Sequence, residues 1–143
     1  MATLKVEIVT PESTLWAGEA TALIARSSDG DFTILPQHTE TVGDIVPGVV
    51  RVETTEGELA FAVHGGYFQV GPDEDGNTLA TVLAGIAERT SEIDVARAQA
   101  SKDQAEADIA RDSRSDEQDA SSQALAVAAL ERAELRLRAA SLK

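Results

Sequence analysis

Cysteine is absent from the 143 residues, so the chain offers no disulfide framework, thiolate nucleophile or zinc finger. Aromatic side chains are scarce: one Trp, one Tyr and three Phe leave the interior to Val, Ile, Leu and Ala. No apolar run approaches the ~18 residues that a membrane-spanning helix needs, and Met1 to Thr10 lacks a basic segment followed by an apolar one. A soluble cytoplasmic protein is expected on these grounds. No Gly-rich phosphate loop of the P-loop or Rossmann kind is present, so ATP hydrolysis by this chain alone is not expected. The two histidines, His38 and His64, have no Ser nucleophile motif beside them and belong to no HxH or HxxxE set. A catalytic pair or a cupin-like metal site, which would need clustered ligands, is therefore not expected.

Basic residues are few where the chain begins. Through Glu88 there are three Lys/Arg against fourteen Asp/Glu; from Arg89 onward there are nine against eleven, and the whole chain carries a net charge of −13. An acidic surface repels phosphate backbones and anionic headgroups, which excludes nucleic acid and direct membrane binding as expected partners. A basic protein partner is its natural complement, and solubility alone is the plainer explanation of the same charge.

From Leu4 to about Leu83 short alternating segments are separated by turn residues, the period of half-buried strands. Leu4, Val6 and Ile8 face one way, Lys5 and Glu7 the other, and Pro11 closes the segment. Further strands are expected near Ser13 to Trp16, Ala20 to Ser27, Phe32 to Leu35, Val42 to Ile45 and Val49 to Thr54, then Leu59 to Val63, Tyr67 to Val70 and Thr78 to Leu83. Breaks fall at Gly18, Asp29 to Asp31, Pro47 with Gly48, Glu56 with Gly57, Gly65 with Gly66, and Pro72 to Asn77. This spacing predicts a sandwich or barrel, with the Gly pair as a bulge or a close backbone approach and Trp16 as a core or edge filler.

After Ile86 Gly and Pro vanish and Ala becomes frequent, so a helical unit begins. Ser91 followed by Asp94 is a capping-box-like start. Ile93, Ala96, Ala100, Ala107 and Ala110 make one expected stripe, and Ala126, Leu130, Ala133, Leu137 and Ala140 a second. Polar Asp112 to Asp119 reads as the connector of an antiparallel hairpin. The fold class is mainly β plus α: a β-sandwich over 1–88, then a two-helix hairpin over 89–143. Alanine stripes bury little apolar area, about 1 kcal/mol or less per Ala, so the hairpin is expected to be weakly held and able to change partners.

The segments VEIVTPESTLWAG, SSDGDFTILPQHTETVGDIVPG, HGGYFQV, TLATVLAG and ERTSEIDVARA, in that order, resemble the epsilon subunits of F-type ATP synthases over nearly the whole chain. Three departures stand out. The family more usually has Gly at Gln37, the acidic stretch Asp73 to Asn77 is long, and ATP-binding members carry Arg where this chain has Gln104. The resemblance implies a ten-stranded sandwich in a non-catalytic rotor subunit that couples the gamma subunit to the ring of c subunits. It implies c-ring contact at Asp29, Gly30 and Asp31, although Asp-Gly-Asp is also good hairpin-turn chemistry. Contact with gamma is implied at His38, Thr39, Thr41 and Val42. The hairpin is expected to inhibit ATP hydrolysis through Arg132, Arg136 and Arg138, which meet acidic segments of the catalytic alpha and beta subunits.

No cofactor is expected to be required. ATP as a regulatory ligand is implied by the IDVARA run, with Glu88, Ile93, Asp94, Arg97, Ala98, Arg132 and Arg136 as the binding set. In that reading Asp94 accepts from an adenine amino group and the guanidinium forks meet phosphates. Equally, Asp94 caps its helix, and Arg132 and Arg136 form a solvated face with Glu131 and Glu134. A free-standing nucleotide sensor with the hairpin as lid is the alternative to a rotor subunit. The implied location is the cytoplasmic face of a bacterial membrane, held there only through the complex.

Overall fold

The computed structural model describes residues 3–114 and 120–141, with the side chains of 112–114 and 120–121 left aside. It divides into two compact units, Met1–Arg89 and Thr90–Lys143. The first holds ten strands: β1 Leu4–Val9, β2 Thr14–Ala20, β3 Ala22–Ser27, β4 Gly30–Ile34, β5 Thr41–Ile45, β6 Gly48–Thr54, β7 Gly57–Val63, β8 Gly66–Pro72, β9 Thr78–Ala84 and β10 Ala87–Arg89. They form two five-stranded sheets, β2-β1-β9-β8-β5 and β10-β7-β6-β3-β4. All pairings are antiparallel except β1 with β9.

Alternation along the strands sends one side chain in two to the space between the sheets. Leu4, Val6, Ile8, Phe68, Val70, Ala80 and Val82 from the first sheet meet Leu23, Ala25, Ile34, Val50, Val52, Phe61 and Val63 from the second in one buried core. Aromatics are few but central: Phe32 stacks on Phe68 with ring centroids 4.4 Å apart, and Trp16 tilts against Phe61 at 6.5 Å. Trp16 is thus a half-buried cover on the core.

Two strand boundaries differ from expectation. Gly18 does not break a strand: it lies inside β2 opposite Val6, because the Trp16 ring lies where a Cβ at Gly18 would stand, 2.8 Å away. Residues 87–89, where no strand was expected, form β10 on the edge of the second sheet, paired with β7 at Val63, Ala62 and Phe61. The Gly65–Gly66 pair is a close approach: Gly65 has φ +98°, and a Cβ on Gly66 would collide with the Leu83 carbonyl oxygen.

The second unit opens with a 3-10 turn, Thr90–Glu92, followed by α1 Val95–Arg114 and α2 Ala120–Ala140, which pack on each other. Here the helical reading needs three corrections. The N-cap of α1 is Asp94, not Ser91: its Oδ1 accepts the Arg97 amide at 3.0 Å, while Ser91 sits in the 3-10 turn. On α1 the buried residues are Ala98 and Ala105, one heptad apart, after Ile93 ahead of the helix; Ala96, Ala100, Ala107 and Ala110 are exposed. α1 also continues through Asp112 to Arg114, so those residues are helix rather than connector. Residues 115–119 of the expected connector lie outside the described residues. The α2 stripe stands as expected, with Ala126, Ala133 and Ala140 buried, Leu130 and Leu137 half-buried, and Leu135 and Ala139 added.

Candidate functional site: docking surfaces of the sandwich and the hairpin face

Strand directions place the β3–β4 turn at one end of the sandwich with the Val46–Pro47 and His64–Gly65 turns. The loop 35–40 and the Asp73–Asn77 turn lie at the other end. His38 and His64 therefore sit at opposite ends and form no pair. Among the described residues no cluster of His, Asp and Glu is placed to hold a metal ion.

At the first end Ser28 and Asp29 form a two-residue turn closed by the Ser27–Gly30 pair, with Gly30 at φ +124°. The Ser27 hydroxyl donates to the Gly30 carbonyl at 3.2 Å and accepts the Asp29 amide at 3.1 Å. Asp29 and Asp31 are exposed. Arg26 lies 3.6 Å from Asp31, but both side chains are largely in solvent, so the pair is screened and the turn stays acidic. All three residues expected at the c-ring contact are thus brought together on one presented turn.

His38 and Thr39 lie in the loop before β5, and Thr41 and Val42 begin that strand. The Thr39 carbonyl organises the loop: it lies 2.8 Å from His38 Nδ1 and accepts the Thr41 hydroxyl at 2.9 Å. Strand β5 is an edge of its sheet. Its Val42 is 74% exposed, on the outward face opposite Gln69. The same face carries Tyr67, 63% exposed, and its register partner Leu83, 45% exposed. Sequence reading named Val42 and missed Tyr67 and Leu83. Their outward parity was present in the alternation, but only sheet order makes them neighbours of β5.

The residues of the expected nucleotide set divide between the two units. Glu88 lies in β10, its Oε1 3.9 Å from Nε2 of His64, whose side chain is 5% exposed. Ile93 and Ala98 are buried, whereas Asp94 and Arg97 are exposed at the start of α1. Asp94 Oδ1 is engaged as the helix cap. Arg132 and Arg136, four residues apart and half-buried, share a face of α2. Arg138 is exposed and, at about 100° per residue, points about 160° away from Arg136. The three arginines of the expected inhibitory helix therefore occupy two faces, not one. Gln104 donates to Asp108 along α1. Among the described residues no helix is long and apolar enough to cross a membrane.

The family model described as the ATP synthase delta/epsilon chain, β-sandwich domain, matches residues 3–90. The ATP synthase epsilon chain of Laribacter hongkongensis is 38% identical over 133 residues, covering 92% of this chain and 91% of that one. That of Thermobifida fusca is 43% identical over 106 residues, covering 72% and 74%. Among solved structures, a chain of the Euglena gracilis mitochondrial ATP synthase superposes with TM-score 0.74 at 21% identity, covering all of this chain and 83% of its own. Residues 3–90 thus carry the sandwich shared by delta and epsilon chains. The chain belongs to the family of epsilon subunits of F-type ATP synthase, which are non-catalytic components of that complex.

Proposed function

We propose that this epsilon subunit couples gamma to the c ring as part of the rotor and that its hairpin restrains ATP hydrolysis by the alpha and beta subunits. The observation that carries this reading is the outward row Val42, Tyr67 and Leu83 beside the open edge of β5. Three large apolar side chains on one face are suited to being covered by a partner. That partner is gamma, which also meets His38, Thr39 and Thr41. The acidic β3–β4 turn, Asp29 to Asp31, faces basic groups of the c ring.

Alanine-built packing between α1 and α2 keeps the hairpin marginal, so a compact and an extended state lie within reach of a few kcal/mol. ATP bound by Asp94, Arg97, Arg132 and Arg136 favours the compact state. In the extended state Arg132, Arg136 and Arg138 meet acidic segments of the catalytic subunits. The protein is then peripheral, held at the cytoplasmic face of the membrane by its complex.

The test is ATP hydrolysis by a catalytic complex stripped of this subunit, with full-length chain or a version ending at Thr90 added back. Inhibition by the full chain and none by the bound truncation is the expected result. Equal effects of the two bound proteins leave coupling without inhibition, and failure of both to bind overturns the proposal.

A further inference from the structure

One side chain outside the proposed contacts reaches the β3–β4 turn from the opposite sheet. Asp44 lies in β5, in the first sheet, opposite Tyr67. Its carboxylate spans the corner of the sandwich to Ser28 in the second sheet's turn. Oδ2 accepts the Ser28 amide at 3.0 Å, and Oδ1 accepts the Ser28 hydroxyl at 3.1 Å. A further backbone bond, from the Val46 amide to the Arg26 carbonyl at 3.0 Å, ties the same corner.

A two-residue turn at a sheet end is otherwise held only by its own strands, and an exposed tip of this kind opens readily. With both oxygens engaged by one residue, the Asp44 carboxylate removes the freedom of Ser28 and so sets the backbone that carries Asp29. The same turn carries the exposed carboxylates of Asp29 and Asp31, the latter 3.6 Å from Arg26.

We propose that Asp44 is the positioning residue of the acidic turn: it pre-orders Ser28 to Asp31 for a basic polypeptide surface, the c ring of the reading above, on which this inference rests. Order present before docking is entropy that binding does not then lose. The role needs a side chain that bonds both the amide and the hydroxyl of Ser28 rather than a charge. Asn keeps it, since its Oδ1 accepts the Ser28 amide and its Nδ2 donates to the hydroxyl.

The experiment adds full-length wild type, D44A, D44N and D29K/D31K to membranes bearing ATP synthase stripped of this subunit. It reads apparent affinity for those membranes, amide hydrogen exchange at Ser28 and Asp29 in the free protein, and circular dichroism to show that each variant is folded. In D44A the Ser28 amide should exchange about tenfold faster and affinity should fall about five- to tenfold, the scale of one net intramolecular hydrogen bond. D44N should stay within about twofold of wild type in both readings, because a bond to the Ser28 amide and one to its hydroxyl both survive. Loss of affinity in D29K/D31K with none in folded D44A overturns the positioning role and leaves the c-ring reading standing, as does wild-type exchange in D44A. Wild-type affinity in D29K/D31K overturns the c-ring reading and this inference with it.

Discussion

Gln37 is the residue whose backbone is least at ease, with φ +70°, the sole non-glycine in the left-handed region among the described residues. Its amide is held by the Thr78 hydroxyl at 2.8 Å, so the turn before β5 keeps its shape against a cost of about 1 kcal/mol for a side chain there. Gln37→Gly should raise stability by up to about 1 kcal/mol in urea unfolding, less whatever unfolded-chain freedom glycine adds. Gly43 is the opposite case: a Cβ would stand 2.5 Å from the Phe68 ring, which lies over the strand. Gly43→Ala should therefore cost about 2 kcal/mol by overpacking in the same measurement.

At the same end of that sheet as the Gln37 turn, Lys5 meets Asp73 at 3.1 Å. Burial works against the Asp73 carboxylate, yet the Lys5 hydrogen bond, the amides of Asn77 and Asp75 and the Lys5 charge together hold its pKa below the ordinary value. Hydrogen bonding to Asp73, then its charge, raises Lys5 in turn. The Asp73 contribution to stability is thus complete above its unfolded pKa of about 3.9 and is lost as pH falls through the folded value. Lys5 contributes below about 10.4 and loses that as pH rises through its own. Urea midpoints at pH 7 and pH 3 should differ less in Asp73→Asn than in wild type.

At the scale of elements, the hairpin shows how little holds two helices of this composition. Among its buried side chains, Ala98, Ala105, Ala126, Ala133, Ala139 and Ala140 are small, and Leu135 is the large one on α2. Leu135→Ala should cost about 3 kcal/mol and disorder this unit before the sandwich, which has its own core. Amide exchange in α1 and α2 against that of β1 and β8 would show it. Asp94→Ala should lower helix stability by about 1 kcal/mol with ATP absent, because Oδ1 caps α1; Asp94→Asn should largely spare it. Asp94 thus cannot be read from an ATP response alone. Sequence left two caps open, Ser91 and Asp94, because both are good capping residues; the 3-10 turn at Thr90–Glu92 takes up the first and leaves Asp94 to cap α1. The α1 stripe was misplaced for a related reason: alanines occur all round the helix, so their spacing does not single out a face.

For the whole molecule the proposed inhibition rests on α2. Arg132→Glu with Arg136→Glu should remove most of it, and Arg138→Glu alone much less, because Arg138 faces the other way; hydrolysis by the reconstituted complex measures both. Sequence by itself determined the sandwich followed by a hairpin, nine of the ten strands and the acidic turn at Asp29 to Asp31. These follow from local rules, namely alternation with period two, turn residues between strands, and the loss of Gly and Pro after Ile86. Tertiary structure alone decided the rest. Pairing with β7 makes residues 87–89 a strand, sheet order sets Tyr67 and Leu83 beside Val42, and closure of the sandwich brings Asp44 to Ser28 across sixteen residues of chain. Each depends on which distant segments become neighbours, and that is settled by the burial of both sheets against one core rather than by any local pattern.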